Sequence, residues 1–292
     1  MKYDIRLSIS HHYAQPAGSS RHLIRVLPRS IPGRQSVTAH LIEVSPTPDE
    51  RSAGMDFFGN ATTTVSHGDP HDQMTIRMTS RVELSTRTDW LDLSPDLAQL
   101  RQQWEAYQGL EPGSPLHFLG PSPRLSPNSE IAHFAQGILQ AGDSSAGHVI
   151  RLGQALHDAM SFDPEATTVD TDAPEAFRLR RGVCQDFSHI MILALRSLGI
   201  PAGYVSGYLR TLPPEGGVRL EGADAMHAWV KAWCGAEHGW LEYDPTNATI
   251  AGTDHIVVGY GRDYADASPV IGHLRSSGDQ TNTQSVDVVA LG

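Results

Sequence analysis

Cys184 lies at the predicted start of a helix, a position that could make its thiol reactive. Apolar residues follow it at helical spacing and predict one buried helix face: Phe187, Ile190, Met191, Ala194 and Leu198. Gly199 and Pro201 would then end the helix. Free N–H groups and the dipole at a helix N-terminus favour a thiolate and can hold an oxyanion formed on a substrate carbonyl. This helix alone leaves open whether Cys184 is a nucleophile or an ordinary buried cysteine.

One predicted strand begins at His227, and the next strand ends at Asp244. If the two strands pair as a hairpin with Val230 opposite Leu241, His227 and Asp244 become direct cross-strand neighbours. A carboxylate beside an imidazole fixes the tautomer of the ring and stabilises the imidazolium. Each residue alone is weak evidence, but together with Cys184 the pair predicts an activated nucleophile for acyl transfer.

The elements that must position these residues fall into three predicted regions. Residues 1–88 are predicted to be a small antiparallel β domain, because apolar and polar residues alternate along them, as in Tyr3, Ile5, Leu7 and Ile9. Residues 89–275 combine helical spacing with further strands and are predicted to form an α+β core. Residues 276–292 are polar and rich in Gly, Ser and Thr, which predicts a flexible tail.

Composition excludes several classes of function. Acidic residues number 33 against 22 basic ones, so the net charge of −11 disfavours nucleic acid as a partner. The longest apolar run, 190–195, is too short to cross a membrane, and the N-terminus has no apolar signal core. Two cysteines cannot form a disulfide framework. We therefore expect a cytoplasmic protein with free thiols.

Other residues that could do chemistry are expected to be structural. Cys234 lies at the predicted hairpin bend and is interpreted as a bystander thiol. His189 is expected to make a structural hydrogen bond. The His11–His12 pair and the nearby His67 and His71 lie in strand ends or turns without cysteines or paired acids at ligand spacing, so no metal site is predicted.

Four segments, in this order, resemble the bacterial transglutaminase-like superfamily: 182–189 (GVCQDFSH), 199–208 (GIPAGYVSGY), 226–230 (MHAWV) and 244–246 (DPT). Residues 254–266 (DHIVVGYGRDYAD) resemble the closing segment of the same family. Three segments at the front, 3–9, 25–29 (RVLPR) and 56–60 (DFFGN), resemble its N-terminal β domain. The resemblance covers nearly the whole chain.

The resemblance implies a papain-like transglutaminase core, in which a nucleophile helix packs on an antiparallel sheet. An N-terminal antiparallel β domain precedes this core in the chain. It implies Cys184 as nucleophile, His227 as base and then acid, and Asp244 as the residue that orients His227. The implied chemistry is attack of the thiol on an amide, peptide or isopeptide carbonyl of a protein or peptide substrate. The attack gives a thioester intermediate and releases an amine. No metal or cofactor is implied.

The resemblance also directs attention to the oxyanion donors and the cleft. The backbone N–H of Cys184 is the expected donor, and Gln185, Tyr204 and Tyr208 are candidates for a second one. Trp229 is expected to line the core or the cleft wall. Two alternatives to a hydrolase remain open: a protein-glutamine acyltransferase that cross-links or transfers amines, and a non-enzymatic scaffold or binding protein. The oligomeric state is not predicted.

Overall fold

The computed structural model describes residues 1–85, 91–211 and 224–291. The predicted domain boundary between 88 and 89 lies outside these residues. In chain order, the strands are β1 (Lys2–Ile24), β2 (Gln35–Ser45), β3 (Glu50–Met55), β4 (Ala61–His67), β5 (His71–Leu84), β6 (Ser161–Phe162), β7 (Arg181–Gly182), β8 (Ala202–Leu209), β9 (Ala225–Trp233), β10 (Trp240–Asp244), β11 (Thr249–Ile250), β12 (His255–Gly261), β13 (Val270–Arg275) and β14 (Gln280–Leu291). The helices are α1 (Leu97–Glu105), α2 (Ser129–Ile138), α3 (Ser145–Ala159), α4 (Ala173–Leu179), α5 (Cys184–Ser197) and α6 (Tyr264–Ala267), with a 3₁₀ turn at Pro115–Phe118.

The N-terminal part is an antiparallel sheet organised around the long strand β1. The first half of β1 pairs with β5 and β14, and its second half pairs with β4 and β13. Strand β2 extends the sheet beyond β5, and β3 extends it beyond β4. The alternation read from the sequence is present, because the residues predicted to face the core are buried: Tyr3, Ile5, Leu7 and Ile9.

The C-terminal segment corrects the expectation of a flexible tail. Residues Gln280–Leu291 form β14, which pairs with β1 along Lys2–Tyr13. Val286 and Val288 are each 1% exposed and join the core of the N-terminal sheet. The polar residues 280–285 are exposed on both sides of the strand, and burial is confined to Val286 and Val288. The chain therefore returns to its N-terminal domain at its end.

The second part is the predicted core, in which α5 packs on an antiparallel sheet of strand order β11-β10-β9-β8-β12. Helix α5 buries its apolar side against β8 and β9, and α2, α3 and α4 pack around it. Gly199, with φ of +77°, ends the helix, and the Ile200 N–H donates to the Leu195 carbonyl. The predicted α+β architecture with an N-terminal antiparallel β domain is confirmed.

The two parts share one hydrophobic cluster. Tyr208 on β8 and Ile256 and Val258 on β12 pack with Tyr3 and Ile5 of β1. The Tyr208 hydroxyl donates to the Val26 carbonyl across the same boundary at 2.6 Å. Burial of these apolar side chains holds the N-terminal sheet against the core sheet. In the part of the chain that the structure describes, no helix has the length and apolar character needed to cross a membrane.

Candidate active site

Cys184 is the first residue of α5 and is partly exposed. The backbone that leads into Cys184 is held by the Asp186 carboxylate. This carboxylate accepts hydrogen bonds from the Val183 N–H at 2.8 Å and from the Thr167 hydroxyl at 2.6 Å. Burial raises the pKa of Asp186, although these two hydrogen bonds act in the opposite direction. A Cβ on Gly182 would lie 2.5 Å from this carboxylate, so only glycine fits the entry.

His227 and Asp244 meet, but not in the predicted register. Val230 pairs with Tyr243 rather than with Leu241, so the hairpin prediction was wrong by two residues. The cause is the connection between the strands, which contains six residues rather than four. A shift of two keeps each side chain on its face of the sheet, so the pair remains in reach along a diagonal. His227 Nε2 lies 2.7 Å from the Asp244 carboxylate.

Asp244 is fully buried and accepts every hydrogen bond that its two oxygens can hold. His227 and His255 both reach Oδ2 through Nε2, and the Asn247 amide donates to it at 2.7 Å. Backbone N–H groups of Thr246 and Asn247 donate to Oδ1. Burial would raise the pKa of Asp244, but the hydrogen bonds from the two histidines and Asn247 hold the pKa well below its usual range. The carboxylate is therefore charged at neutral pH.

His227 connects this carboxylate to Cys184. Its Nε2 is engaged by Asp244 at 2.7 Å, and Cys184 lies close enough to the ring to influence its pKa. Burial alone would lower the pKa of His227, but the hydrogen bonds and negative charge of Asp244 and Cys184 outweigh it and raise the pKa. An imidazole held in this way can accept the thiol proton and keep it as an imidazolium.

His255 is the residue of the site that the sequence analysis missed. It lies within 254–266 as the first residue of β12, and its side chain reaches Asp244 although β8 and β9 separate β12 from β10 in the sheet. The Gly252 N–H donates to His255 Nδ1 at 3.2 Å, so the ring proton sits on Nε2 and is donated to Asp244 at 3.1 Å. The ring of Trp229 packs edge-on against it.

His227, Asp244 and His255 also lie close enough together to bind a metal ion, because one potential ligand atom from each lies within 4.8 Å of the others. The hydrogen bonds argue against that use. A metal-binding imidazole must present a lone pair, whereas His255 Nε2 carries its proton and His227 Nε2 donates to the same carboxylate oxygen. This trio is a hydrogen-bonded network.

The predicted oxyanion candidates lie in three different surroundings. The Gln185 side-chain N–H donates to the Val169 carbonyl at 3.0 Å, which directs the amide to a neighbouring loop. Tyr204 is buried next to His189, and its pKa is raised well above 10 by burial and by the nearby Cys184 charge. Tyr208 is not brought to the site, because its hydroxyl is committed to the interface with β1.

Trp229 and Cys234 have defined structural surroundings. The Trp229 side chain is fully buried, its indole N–H donates to Glu242 at 2.7 Å, and its ring stacks beside His227 with centroids 6.2 Å apart. Trp229 therefore packs against one face of the His227 ring. Cys234 is fully buried and burial raises its pKa, as expected for a bystander thiol. His189 accepts a hydrogen bond from the Tyr264 N–H, also as expected.

Comparison with known families places this geometry in context. Residues 132–245 match the family described as Transglutaminase-like superfamily, and residues 3–83 match the Bacterial transglutaminase-like N-terminal region. An uncharacterized protein of Mycobacterium tuberculosis is 36% identical over 265 residues, which cover 88% of this chain and 82% of that protein. An uncharacterized protein of Mycobacterium leprae is 31% identical over 288 residues, 97% of each chain.

Among solved structures, a "Putative Cysteine Protease" from Cytophaga hutchinsonii has the same fold, with a TM-score of 0.78. The similarity covers 100% of this chain and 91% of that one at 20% sequence identity. It extends over both the N-terminal sheet and the core, so the two parts occur together in the same arrangement in another protein.

Proposed function

Because the chain belongs to the transglutaminase-like superfamily, we propose that it is a cysteine-dependent hydrolase that cleaves amide, peptide or isopeptide bonds of a protein or peptide substrate. The observation that carries the proposal is the 2.7 Å contact between His227 Nε2 and the buried Asp244 carboxylate, with Cys184 close enough to the same ring to raise its pKa. The start of α5 at Cys184 supports it, since the free N–H groups there suit a developing oxyanion.

The first half of the proposed reaction breaks the amide. His227 Nδ1 takes the proton of the Cys184 thiol, and the thiolate attacks the substrate carbonyl carbon. The oxygen gains negative charge and is held by the Cys184 backbone N–H. The carbonyl then reforms as His227 gives its proton to the leaving nitrogen, so an amine departs and a thioester remains. Asp244 stays ionised throughout and stabilises the imidazolium.

The second half returns the enzyme to its starting state. A water molecule gives a proton to His227 and attacks the thioester carbonyl. The tetrahedral intermediate collapses with loss of the sulfur, which recovers its proton from His227, and a carboxylic acid is released. If an amine replaces the water, the same steps join the acyl group to that amine. Hydrolysis and transfer therefore differ only in which nucleophile reaches the thioester.

One experiment separates these outcomes. The full chain and a Cys184→Ala control are incubated with casein, which offers glutamine side chains and peptide bonds, and with dansylcadaverine. We expect new casein fragments or released ammonia, dependent on Cys184, without dansyl labelling of the protein. Labelling that depends on Cys184 would identify an acyltransferase instead. Identical results for the two proteins would contradict an enzymatic role and favour a scaffold.

A further inference from the structure

A cavity of about 290 Å³ lies between the N-terminal part and the core sheet, apart from Cys184. Arginines of the segment that connects β1 to β2 line one side of it, and the other side is formed by Lys231, Trp240, Glu242 and Tyr260 of the core sheet. A pocket between two parts of a protein is a common location for small-molecule binding, and this volume is just below the usual range for such sites, which suits a small ligand.

Lys231 is the unusual residue of this cavity. It is only 6% exposed, and three aromatic rings surround its ammonium group, with Nζ 4.0 Å from the Phe118 centroid, 4.3 Å from that of Trp240 and 4.6 Å from that of Tyr260. Within residues 1–85, 91–211 and 224–291, no hydrogen bond or ion pair reaches Nζ. A buried cation without a hydrogen-bonding partner is costly, and the rings offset only part of that cost.

Glu242, the cross-strand neighbour of Lys231, does not supply the missing partner. Its two oxygens accept from both terminal nitrogens of Arg34, from the Trp229 indole and from the Tyr260 hydroxyl. The charge of Glu242 is thus balanced by Arg34. Burial lowers the pKa of Lys231 to about 7, and the Glu242 charge opposes that change without cancelling it.

Arg29 adds a further positive charge to the cavity wall. Its guanidinium lies over the Tyr260 ring, 5.1 Å from the centroid, and donates to the Phe58 carbonyl and the Asn60 side chain. Among the described residues, the cavity lining therefore combines two arginines and a lysine with one carboxylate, although the sequence as a whole has a net charge of −11. This local excess of positive charge indicates an anionic occupant.

We propose that this cavity binds a small organic carboxylate, whose charged group pairs with Lys231 Nζ and whose flat apolar body lies against Trp240 and Tyr260. Arg34 is paired with Glu242, and Arg29 donates to two neutral protein acceptors. Among the described residues that line the cavity, Lys231 is therefore the cation without a hydrogen-bonding partner, and a monoanion fits better than a phosphate dianion. The aromatic lining favours an organic ligand over an inorganic ion. Cys184, His227 and Asp244 do not line this cavity.

Binding can be tested with benzoate on the Cys184→Ala protein, so that catalysis plays no part. By titration calorimetry we expect saturable 1:1 binding of benzoate, and binding at least tenfold weaker for uncharged benzyl alcohol and for inorganic phosphate. Lys231→Met keeps the length of the side chain but removes the charge, and it should weaken benzoate at least tenfold. Equal affinity in the variant, equal affinity for benzyl alcohol or phosphate, or absence of saturable benzoate binding would overturn the proposal.

A second measurement needs no variant, because the sequence contains only one other lysine. Lys2 is exposed and pairs with Glu83, so it serves as an internal reference. With cyanate at pH 8, we expect carbamoylation of both lysines, and saturating benzoate should slow the reaction of Lys231 at least fivefold while that of Lys2 is unchanged. Equal rates at Lys231 with and without benzoate would contradict the proposed contact.

Discussion

At the scale of single residues, the main feature of the site is that one carboxylate, Asp244, accepts hydrogen bonds from two histidines. His227 is the partner that faces Cys184, whereas His255 approaches the same carboxylate oxygen from β12 with its tautomer fixed by Gly252. A carboxylate with all its acceptor positions filled cannot rotate away from His227. We therefore interpret His255 as a positioning residue, which acts on the reaction through Asp244.

Replacing His255 tests this role. His255→Phe removes one donor from Asp244, so we expect kcat to fall by about 10–100-fold with little change in KM, because the carboxylate no longer holds His227 accurately. The carboxylate also becomes a stronger partner for the imidazolium, so the basic limb of the pH–rate profile should move to higher pH.

The matched control is His255→Gln, whose side-chain N–H can donate in place of the imidazole. It should keep kcat within about threefold of the natural protein, since the hydrogen bond to Asp244 is retained. A merely structural role would lower the yield of folded protein without moving the pH profile. A His255→Phe variant with an unchanged kcat and pH profile would refute the positioning role.

At the scale of elements, the position of His227 depends on the close approach of β8 and β9. Gly207 pairs with His227, and a Cβ at Gly207 would lie 2.3 Å from both the Trp229 ring and the Ile256 carbonyl. The strand can therefore carry no side chain at this point. The Trp229 ring, which stacks beside His227, occupies the space instead.

Gly207→Ala should displace the Trp229 ring and lower the free energy of unfolding by about 1–3 kcal/mol. The activity of the folded variant should fall as well, because the support behind His227 moves. Denaturant unfolding and kcat measure the two effects. Gly137→Ala is the control: it lies in α2 with open space around its Cβ position, and the change should be neutral or stabilising by up to about 1 kcal/mol. Equal stabilities for the two variants would contradict this packing argument.

Strand β14 offers a second comparison at this scale. Val286 is 1% exposed against β1, whereas Val289 is 36% exposed on the same strand. We expect Val286→Ala to cost about 1–3 kcal/mol of unfolding free energy and Val289→Ala less than about 0.5 kcal/mol. Chemical denaturation followed by tryptophan fluorescence measures both. If neither variant changes stability, the segment does not form the strand described.

The sequence predicted what depends on local patterns and missed what depends on distant pairing. Helical spacing after Cys184 was sufficient to identify α5, and the ends of two strands were sufficient to bring His227 near Asp244. The hairpin register was wrong because turn length is decided by loop geometry. The role of β14 was missed because its partner, β1, lies at the opposite end of the chain.

The same limit applies to His255 and Lys231. Neither residue has a sequence pattern that distinguishes it from other histidines and lysines. Their surroundings come from several segments: Asp244 and Gly252 for His255, and Phe118 together with two strands of the core sheet for Lys231. Only the tertiary fold brings these groups together.

At the scale of the whole molecule, stability should depend on pH through histidines buried in both parts. Burial lowers the pKa of His22 in the N-terminal sheet to about 4, with nearby histidines adding to the effect, and burial lowers the pKa of His189 in α5 to about 4. Both rings are neutral in the folded protein at pH 5, whereas the unfolded chain protonates them near pH 6.5. The unfolded state then binds more protons, so stability falls as pH decreases.

This loss should begin near pH 6.5 and be complete near pH 4. Each histidine should contribute on the order of 2 kcal/mol after allowance for solvent screening. His227 has a raised pKa, so its stabilising contribution is complete below pH 6.5 and is lost only as pH rises above that value; it does not alter this window. Asp244, whose pKa is lowered, loses its contribution only below about pH 4.

Denaturant unfolding at pH 7, 6, 5 and 4.5 tests this dependence. His22→Gln, which stays uncharged, should reduce the fall in stability between pH 6.5 and 4.5 relative to the natural protein. His40 is exposed on β2, so His40→Gln should leave the pH dependence unchanged. An equal fall in all three proteins would show that burial of His22 does not control it.

The most direct test of the central claim is the rate at which iodoacetamide alkylates Cys184 near pH 7, measured by peptide mass spectrometry. Cys184 should react at least tenfold faster than free N-acetylcysteine, because His227 and the start of α5 favour its thiolate. His227→Gln should remove most of that excess, and the buried Cys234 should stay unmodified in the same sample. A Cys184 that reacts no faster than N-acetylcysteine, or equally fast without His227, would contradict the account.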